Sequence, residues 1–288
     1  MPKYELSYAR HAPTHCLAPG LFRCLQKGER KRCKLDVVYD YGDGKRIEFS
    51  GPEPLGADDL RILQGLIALA GPAGVLLRAE STSVDGQRLW SSLEPKWDAR
   101  DQEAMIVAGS YRMLALEVGY ADIDDTRPIR ECIERLWKVS VIAQHGGSRQ
   151  GFRLLSEYAN EQKSGRLYVA LNPLITSAVM GEKHTRIDMA EVRRLKSGHA
   201  RLLHQRLCGW IDAGRSGQIS LETLSSYLWP ERAANDRTNR FRRMSARKGL
   251  VELIDLGWLV DEYAKDKWRV TRPKSSHIRV NDSGLVAD

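Results

Sequence analysis

Between Arg232 and Lys248 the chain sets Arg232, Arg237, Arg240, Arg242, Arg243, Arg247 and Lys248 against only Glu231 and Asp236. Cations at that density suit phosphate. A DNA duplex is a dense line of negative charge, and about six to ten Lys/Arg contacts make its binding steeply salt-dependent. Arginines can also fork onto guanine O6/N7, and Asn239 onto adenine N6/N7, each such pair giving about 1–3 kcal/mol of discrimination. Arg240 and Arg243 are the expected base readers. Arg242, Arg247 and Lys248 are the expected phosphate holders, and Arg237 and Thr238 complete the DNA-binding set on this segment. A basic run taken alone has a plainer alternative, a solvated helix face, so the elements around it decide.

From Thr238 onward, Ala246, Leu250, Leu253, Ile254 and Gly257 form a helical stripe that can be buried, with the arginines on the other faces. Upstream, Ala200, Leu203, Leu207, Trp210 and Ile211 read as a support helix ending near Gly214. Gly217-Gln218-Ile219 follows as a short strand. Ser220 then caps a helix carrying Leu221, Leu224, Tyr227 and Leu228, which Trp229-Pro230 stops. After the basic helix, Gly257 supplies a C-cap, and strands from Trp258 to Tyr263 and Lys267 to Thr271 turn at Ala264-Lys265-Asp266. Helix, strand, helix, turn, helix, strand, strand is the order of a winged helix, whose third helix enters the major groove while its hairpin touches the flanking backbone. Lys265, Lys267 and Arg269 put positive charge on that wing.

The same order is echoed earlier. Leu60, Leu63, Leu66, Ile67 and Ala70 mark a helix, Ala104 to Val107 a strand, and Tyr111, Leu114, Ala115 and Val118 a helix closed by Gly119. A third helix starts near Thr126 and buries Ile129, Cys132, Ile133, Leu136 and Trp137. A hairpin follows, Val139 to Gln144 and Gln150 to Leu155, around Gly146-Gly147-Ser148. The predicted fold is therefore α+β, with tandem winged-helix domains, each a three-helix unit with a β-hairpin wing, preceded by a basic N-terminal arm. Arg127, Arg130, Ser148 and Arg149 are the expected DNA contacts of the first unit.

Charge divides the chain. The total is +8; residues 1–34 hold eight Lys/Arg against two acids (+6), residues 35–184 hold 17 against 22 (−5), and residues 185–288 hold 20 against 13 (+7). The expected organisation is a basic, partly disordered arm at 1–34, a first winged helix at 35–181, a second at 182–275, and a flexible tail at 276–288. Pro2, Pro13, Pro19, Gly20 and Gly28 break any period in the arm, which could track a DNA backbone. Leu35 to Tyr41 and Lys45 to Ser50 read as a hairpin around Gly42-Asp43-Gly44, Arg166 to Leu171 as a strand, and Asn172-Pro173 as the start of a short helix. Gly74 to Asp98 reads as a long loop with a strand at Val75 to Arg78.

Other chemistries fit less well. Gly42-Asp-Gly-Lys-Arg lacks the spacing and the Ser/Thr of a P-loop. His11, His15, Cys16, Cys24 and Cys33 are metal-type donors without paired spacing, and His204 and Cys208, at i and i+4, have no third donor in the local sequence; packing is the expected role, with no metal and no cofactor. Tyr39 and Tyr41 lack the histidine pair of a nicking site and read as a buried pair. No enzyme activity is expected. The longest apolar runs are five residues (Leu66 to Ala70, Ala104 to Ala108, Leu167 to Leu171), too short for a bilayer span or a signal segment, and five sparse cysteines suit a reducing compartment, so a soluble bacterial cytoplasmic protein is expected.

The runs Cys16-Leu-Ala-Pro-Gly-Leu-Phe, Tyr39-Asp-Tyr-Gly-Asp-Gly-Lys-Arg-Ile-Glu-Phe-Ser-Gly-Pro-Glu-Pro-Leu-Gly, Cys132-Ile-Glu-Arg-Leu-Trp-Lys-Val-Ser, Arg149-Gln-Gly-Phe-Arg-Leu-Leu-Ser-Glu-Tyr and Arg201-Leu-Leu-His-Gln-Arg-Leu-Cys-Gly-Trp-Ile-Asp resemble the replication initiator protein C of IncQ-type broad-host-range plasmids, over nearly the whole chain. The resemblance implies binding to directly repeated sequences (iterons) at the vegetative origin, opening of the adjacent AT-rich region, and work with a plasmid-encoded helicase and primase. Self-association is compatible with it. Two alternatives remain: a winged-helix transcriptional repressor or autoregulator acting as a dimer on a palindrome, and a single-strand or helicase-loading adaptor.

Overall fold

The computed structural model describes residues 6–77, 104–161, 165–181 and 183–274. Most of the expected Gly74 to Asp98 loop and the tail at 276–288 lie outside the described residues.

The first correction concerns the arm. Strand β1 (Tyr8–His11), helix α1 (Pro13–Leu17) and helix α2 (Glu29–Arg32) lead the chain, and Leu6, Ala9, Leu21 and Phe22 are buried in the main hydrophobic cluster. β1 pairs antiparallel with β10 (Thr185–Asp188). The physical reason is non-local: a four-residue strand with a partner more than 170 positions away carries no local period, yet burying its apolar side chains offsets the entropy of ordering it.

His11 and His15 are fully buried on this segment, their rings 5.9 Å apart. Burial drives both pKa values down, His11 to about 4 and His15 to about 3, the second helped by the neighbouring His11. Unfolded imidazoles titrate near 6.5, so below about pH 6.5 the unfolded chain takes up protons that the folded chain refuses, and stability falls with pH. His204 works in the opposite sense at higher pH: burial lowers its pKa, but Cys208 and Glu191 outweigh it and raise it to about 10. Its contribution is complete below about pH 6.5 and is lost as pH rises from there through about 10. The thermal midpoint is therefore expected to drop between about pH 6.5 and pH 4.5, and a His11→Asn, His15→Gln chain to show a flatter acid limb. An equally steep limb in that variant would remove this pair as the cause.

Hairpin β2 (Leu35–Asp40) and β3 (Lys45–Gly51) turns through Gly42, Asp43 and Gly44, all at positive φ. β3 buries Ile47 and Phe49, and its free edge pairs with β6 (Ser140–His145), which turns back into β7 (Ser148–Arg153), giving the order β2-β3-β6-β7. A second antiparallel sheet has the order β4-β5-β9-β8, built from β4 (Gly74–Leu77), β5 (Ala104–Ser110), β8 (Leu155–Glu161) and β9 (Arg166–Leu171). Helix α3 (Ala57–Ala73) packs against β4 and β5, α4 (Tyr111–Glu117) against β5, and α5 (Arg127–Trp137) against β8. A Cβ on Gly65 would come within 2.4 Å of the Val118 side chain and 2.7 Å of that of Leu114, so these two side chains pack directly on the α3 backbone. The first unit thus has the expected element order but a different sheet. Its strand β5 pairs with β4 and β9, and the hairpin β6-β7 is extended by β3 instead.

The second half runs α6 (Pro173–Val179), α7 (Met189–Arg194), α8 (Gly198–Trp210), β11 (Ser216–Ser220), α9 (Leu221–Leu228), α10 (Asp236–Ile254), β12 (Leu259–Ala264) and β13 (Lys267–Thr271). The side chains of Ser197, Ser220 and Asn235 cap α8, α9 and α10, as Ser and Asn do at N-caps. Here the first strand does join the hairpin, in the order β11-β13-β12. One apolar cluster runs through both halves, and Gln64 of α3 donates to Gln205 of α8 at 3.1 Å. The result is a mixed α/β fold. No helix among the described residues is long and apolar enough to cross a membrane.

Candidate nucleic-acid interface

Helix α10 docks through Ser245, Ala246, Gly249, Leu250 and Leu253. Gly249 allows this: a Cβ there would lie 3.0 Å from Leu203 and 3.3 Å from the backbone of α8. Ile254, expected on the buried stripe, is exposed, because the docked face turns slightly away from it; Gly257 lies beyond the helix end and takes positive φ.

Helical periodicity puts Arg237, Arg240, Phe241, Met244 and Lys248 on the opposite face, and all five are exposed. Arg237, Arg240 and Lys248 have no ion pair among the described residues. Phe241 and Met244 are 53% and 49% exposed, and Phe241 leans on buried Trp229 at 6.3 Å between ring centroids. Sequence reasoning missed these two. Their signal was phase: they are large apolar residues out of step with Ala246, Leu250 and Leu253. Thr238 donates its backbone N–H to the Asn235 cap, and Asn239 is exposed one residue on.

The remaining arginines of α10 are engaged within the protein. Arg242 donates to the Glu231 carbonyl and lies over Trp229. Arg243, an expected base reader, is held by Asp266 at 2.5 Å. Arg247 reaches Glu262 and Asp266 at 3.4 and 3.3 Å and lies over Trp268. Asp266 sits in the β12-β13 turn at φ 59°, and its N–H donates to Glu262 at 2.8 Å. The hairpin is thereby tied to the helix by a small charge network. Lys265 and Lys267 flank this turn, exposed and without an ion pair among the described residues, and Arg269 lies 5.7 Å from the Tyr263 ring.

In the first half, α5 exposes Arg127, which pairs with Asp125 at 3.6 Å, and Arg130, which lies over the Tyr111 ring. Ser148 and Arg149 are exposed at the β6-β7 turn, with Arg149 3.2 Å from Glu48. Arg127 and Arg149 stand close to acids and Arg130 over a ring, unlike the outward row of α10. Tyr39 and Tyr41 stack at 5.7 Å, half-buried. His204 and Cys208 do find a third donor: Glu191 Oε2 lies 2.5 Å from His204 Nε2, and Cys208 Sγ lies 3.6 Å from the same nitrogen. Trp258 Nε1–H also donates to Glu191, and the cluster joins α7, α8 and the residue that follows α10's terminal turn.

No curated protein matches the sequence. Among solved structures, a selenomethionine crystal structure of domains 2 and 3 of RctB matches with a TM-score of 0.57 and 12% identity, covering 90% of this chain and 97% of that one. A second RctB domain 2–3 structure matches with a TM-score of 0.55 and 13% identity, covering 91% and 97%. The Pi initiator protein, solved in complex with iteron DNA, gives a TM-score of 0.44 and 15% identity over 69% of this chain and 96% of that one. The RctB likeness shows a shared fold. The family model for replication protein C (RepC) matches residues 3–274, and the chain belongs to that family of replication initiators.

Proposed function

We propose that this protein is a plasmid replication initiator that binds iterons in double-stranded DNA through two winged-helix units, residues 35–181 and 182–275. In this reading α10 and α5 enter the major groove, and hairpins β12-β13 and β6-β7 are the wings. The observation that carries it is the outward face of α10, where Arg237, Arg240, Phe241, Met244 and Lys248 stand exposed beside a hairpin bearing Lys265 and Lys267. Arginine forks suit guanine, and apolar side chains suit the thymine methyl group. Lys248, Lys265, Lys267 and Arg269 suit phosphates. Two such helices about one helical turn, roughly 34 Å, apart would let a single chain cover an asymmetric repeat of about two turns. The first unit, with Arg127, Arg130 and Arg149 close to acids or aromatic rings, contributes the weaker half of the grip.

Origin opening follows if several bound chains strain flexible, weakly paired steps, with no nucleotide hydrolysis in this chain. A plasmid helicase and primase are the partners that such an origin requires. Footprinting on origin DNA tests the reading. One chain per direct repeat is the expected result, whereas a dimer on inverted half-sites would support a repressor instead. No protection of any repeat in low salt would overturn both.

A further inference from the structure

The basic stretch from Lys27 to Lys34 is anchored on both sides. Arg30 donates to the Pro54 carbonyl at 2.7 Å and to Asp59 at 2.8 Å, and the other oxygen of Asp59 receives Arg135 of α5 at 2.7 Å. On the other flank, Arg23 bridges Glu29 and Glu231, which lies just before α10. Cys24 N–H also donates to the Leu228 carbonyl at 2.9 Å. The segment therefore stands between α5 and the entry to α10, held by inward-facing Arg23, Glu29 and Arg30. Its remaining cations, Lys27, Lys31, Arg32 and Lys34, are exposed and have no ion pair among the described residues. A groove of about 580 Å³ runs beside them, lined by Lys27, Lys31 and Arg30, with Asp58 as its acid.

We propose that this segment is a third DNA contact, which holds the sugar–phosphate backbone between the two stretches of major groove taken by α5 and α10. The proposal rests on the two-unit DNA-binding reading above. The ligand is the phosphodiester backbone itself. Four cations fixed on a short rigid support, with no side chain positioned to read a base, give affinity without sequence preference. Because both flanks are pinned, the bridge also fixes the spacing of the two reading helices, so its phosphates lie at a set distance from both.

The test is the full chain with Lys27→Gln, Lys31→Gln, Arg32→Gln and Lys34→Gln, compared with the parent on a repeat duplex and a scrambled duplex across a salt series. Each lost phosphate contact flattens the slope of log K against log salt by about 0.9. The expected result is a slope shallower by about 2 to 4, with affinity for both duplexes falling together and their ratio kept. Hydroxyl-radical protection of the backbone between the two groove stretches should vanish. All four side chains are exposed, and a parental melting curve checks that the fold is intact. A parental slope with parental central protection would overturn the bridge while leaving the two-unit reading in place. If the parent itself fails to protect any repeat, both fall together.

Discussion

A chain carrying Arg237→Ala and Arg240→Ala is expected to bind a repeat duplex hardly better than a scrambled one. Both side chains are exposed on the outward face of α10 with no internal ion pair among the described residues, so their guanidinium forks are available to base edges. A well-seated bidentate contact gives about 1–3 kcal/mol of discrimination, so losing two costs from roughly 30-fold to about 20,000-fold in the specific-to-nonspecific ratio. Arg243→Ala should behave differently. Arg243 is held by Asp266, so its removal frees the hairpin turn and weakens both duplexes, with a smaller change in ratio. Phe241→Ala should lower preference mainly where a thymine methyl lies against it. Competition binding with base-substituted repeats measures all three. Unchanged selectivity in the Arg237/Arg240 variant, or its loss in Arg243→Ala alone, would reverse the assignment of readers.

That division within α10 marks how far local sequence could reach. The buried stripe Ala246, Leu250 and Leu253 follows from helical period, the cap at Ser220 from capping chemistry, and the hairpin from the turn at Lys265-Asp266. What could not be read was which arginines are already engaged. Asp266 lies 23 residues beyond Arg243, and only the return of β13 against β11 brings it there. The N-terminal region was misread for a related reason. Its prolines and glycines break any period, so it resembles a mobile arm, yet its few apolar residues bury against β10 and α8. In the first half the helices were legible from their stripes, but strand partners were not, since alternation reports which face is buried and not which edge is joined. The third donor on His204 and Cys208 escaped because Glu191 belongs to another helix.

The engaged arginines also bear on how the interface works. Arg243 and Arg247 converge on Asp266 and Glu262, so the position of the hairpin turn is set by α10 itself. A wing held in register with its helix loses less conformational entropy on binding. In the proposed interface the same acids would keep two cations from grasping phosphates indiscriminately. There the exposed row would carry selectivity and the tied pair geometry.

Replacing Asp59 by alanine is expected to destabilise the fold strongly, whereas the same change at its exposed neighbour Asp58 is not. Asp59 is 0% exposed, and its carboxylate accepts from Gly56 N–H at 2.7 Å, Arg30 at 2.8 Å and Arg135 at 2.7 Å. It also stands in the first turn of α3, where a negative charge meets the positive end of the helix dipole. Alanine would leave one buried N–H without its acceptor and two partly buried guanidinium groups without their counter-charge. Breaking a buried pair in this way costs about 3–5 kcal/mol, which lowers the melting midpoint on the order of 10 °C for a chain of this size. Asp58→Ala, one residue away and exposed, should leave the midpoint within about 0.5 kcal/mol of the parent. Asp59→Asn, which keeps an acceptor but not the charge, should fall between. Because Arg30 belongs to the bridge and Arg135 to α5, the loss should also loosen the two against each other, seen as faster amide exchange in α2 at temperatures below melting. An Asp59→Ala chain that melts with the parent and exchanges no faster there would show that this carboxylate does not hold the first unit to the N-terminal bridge.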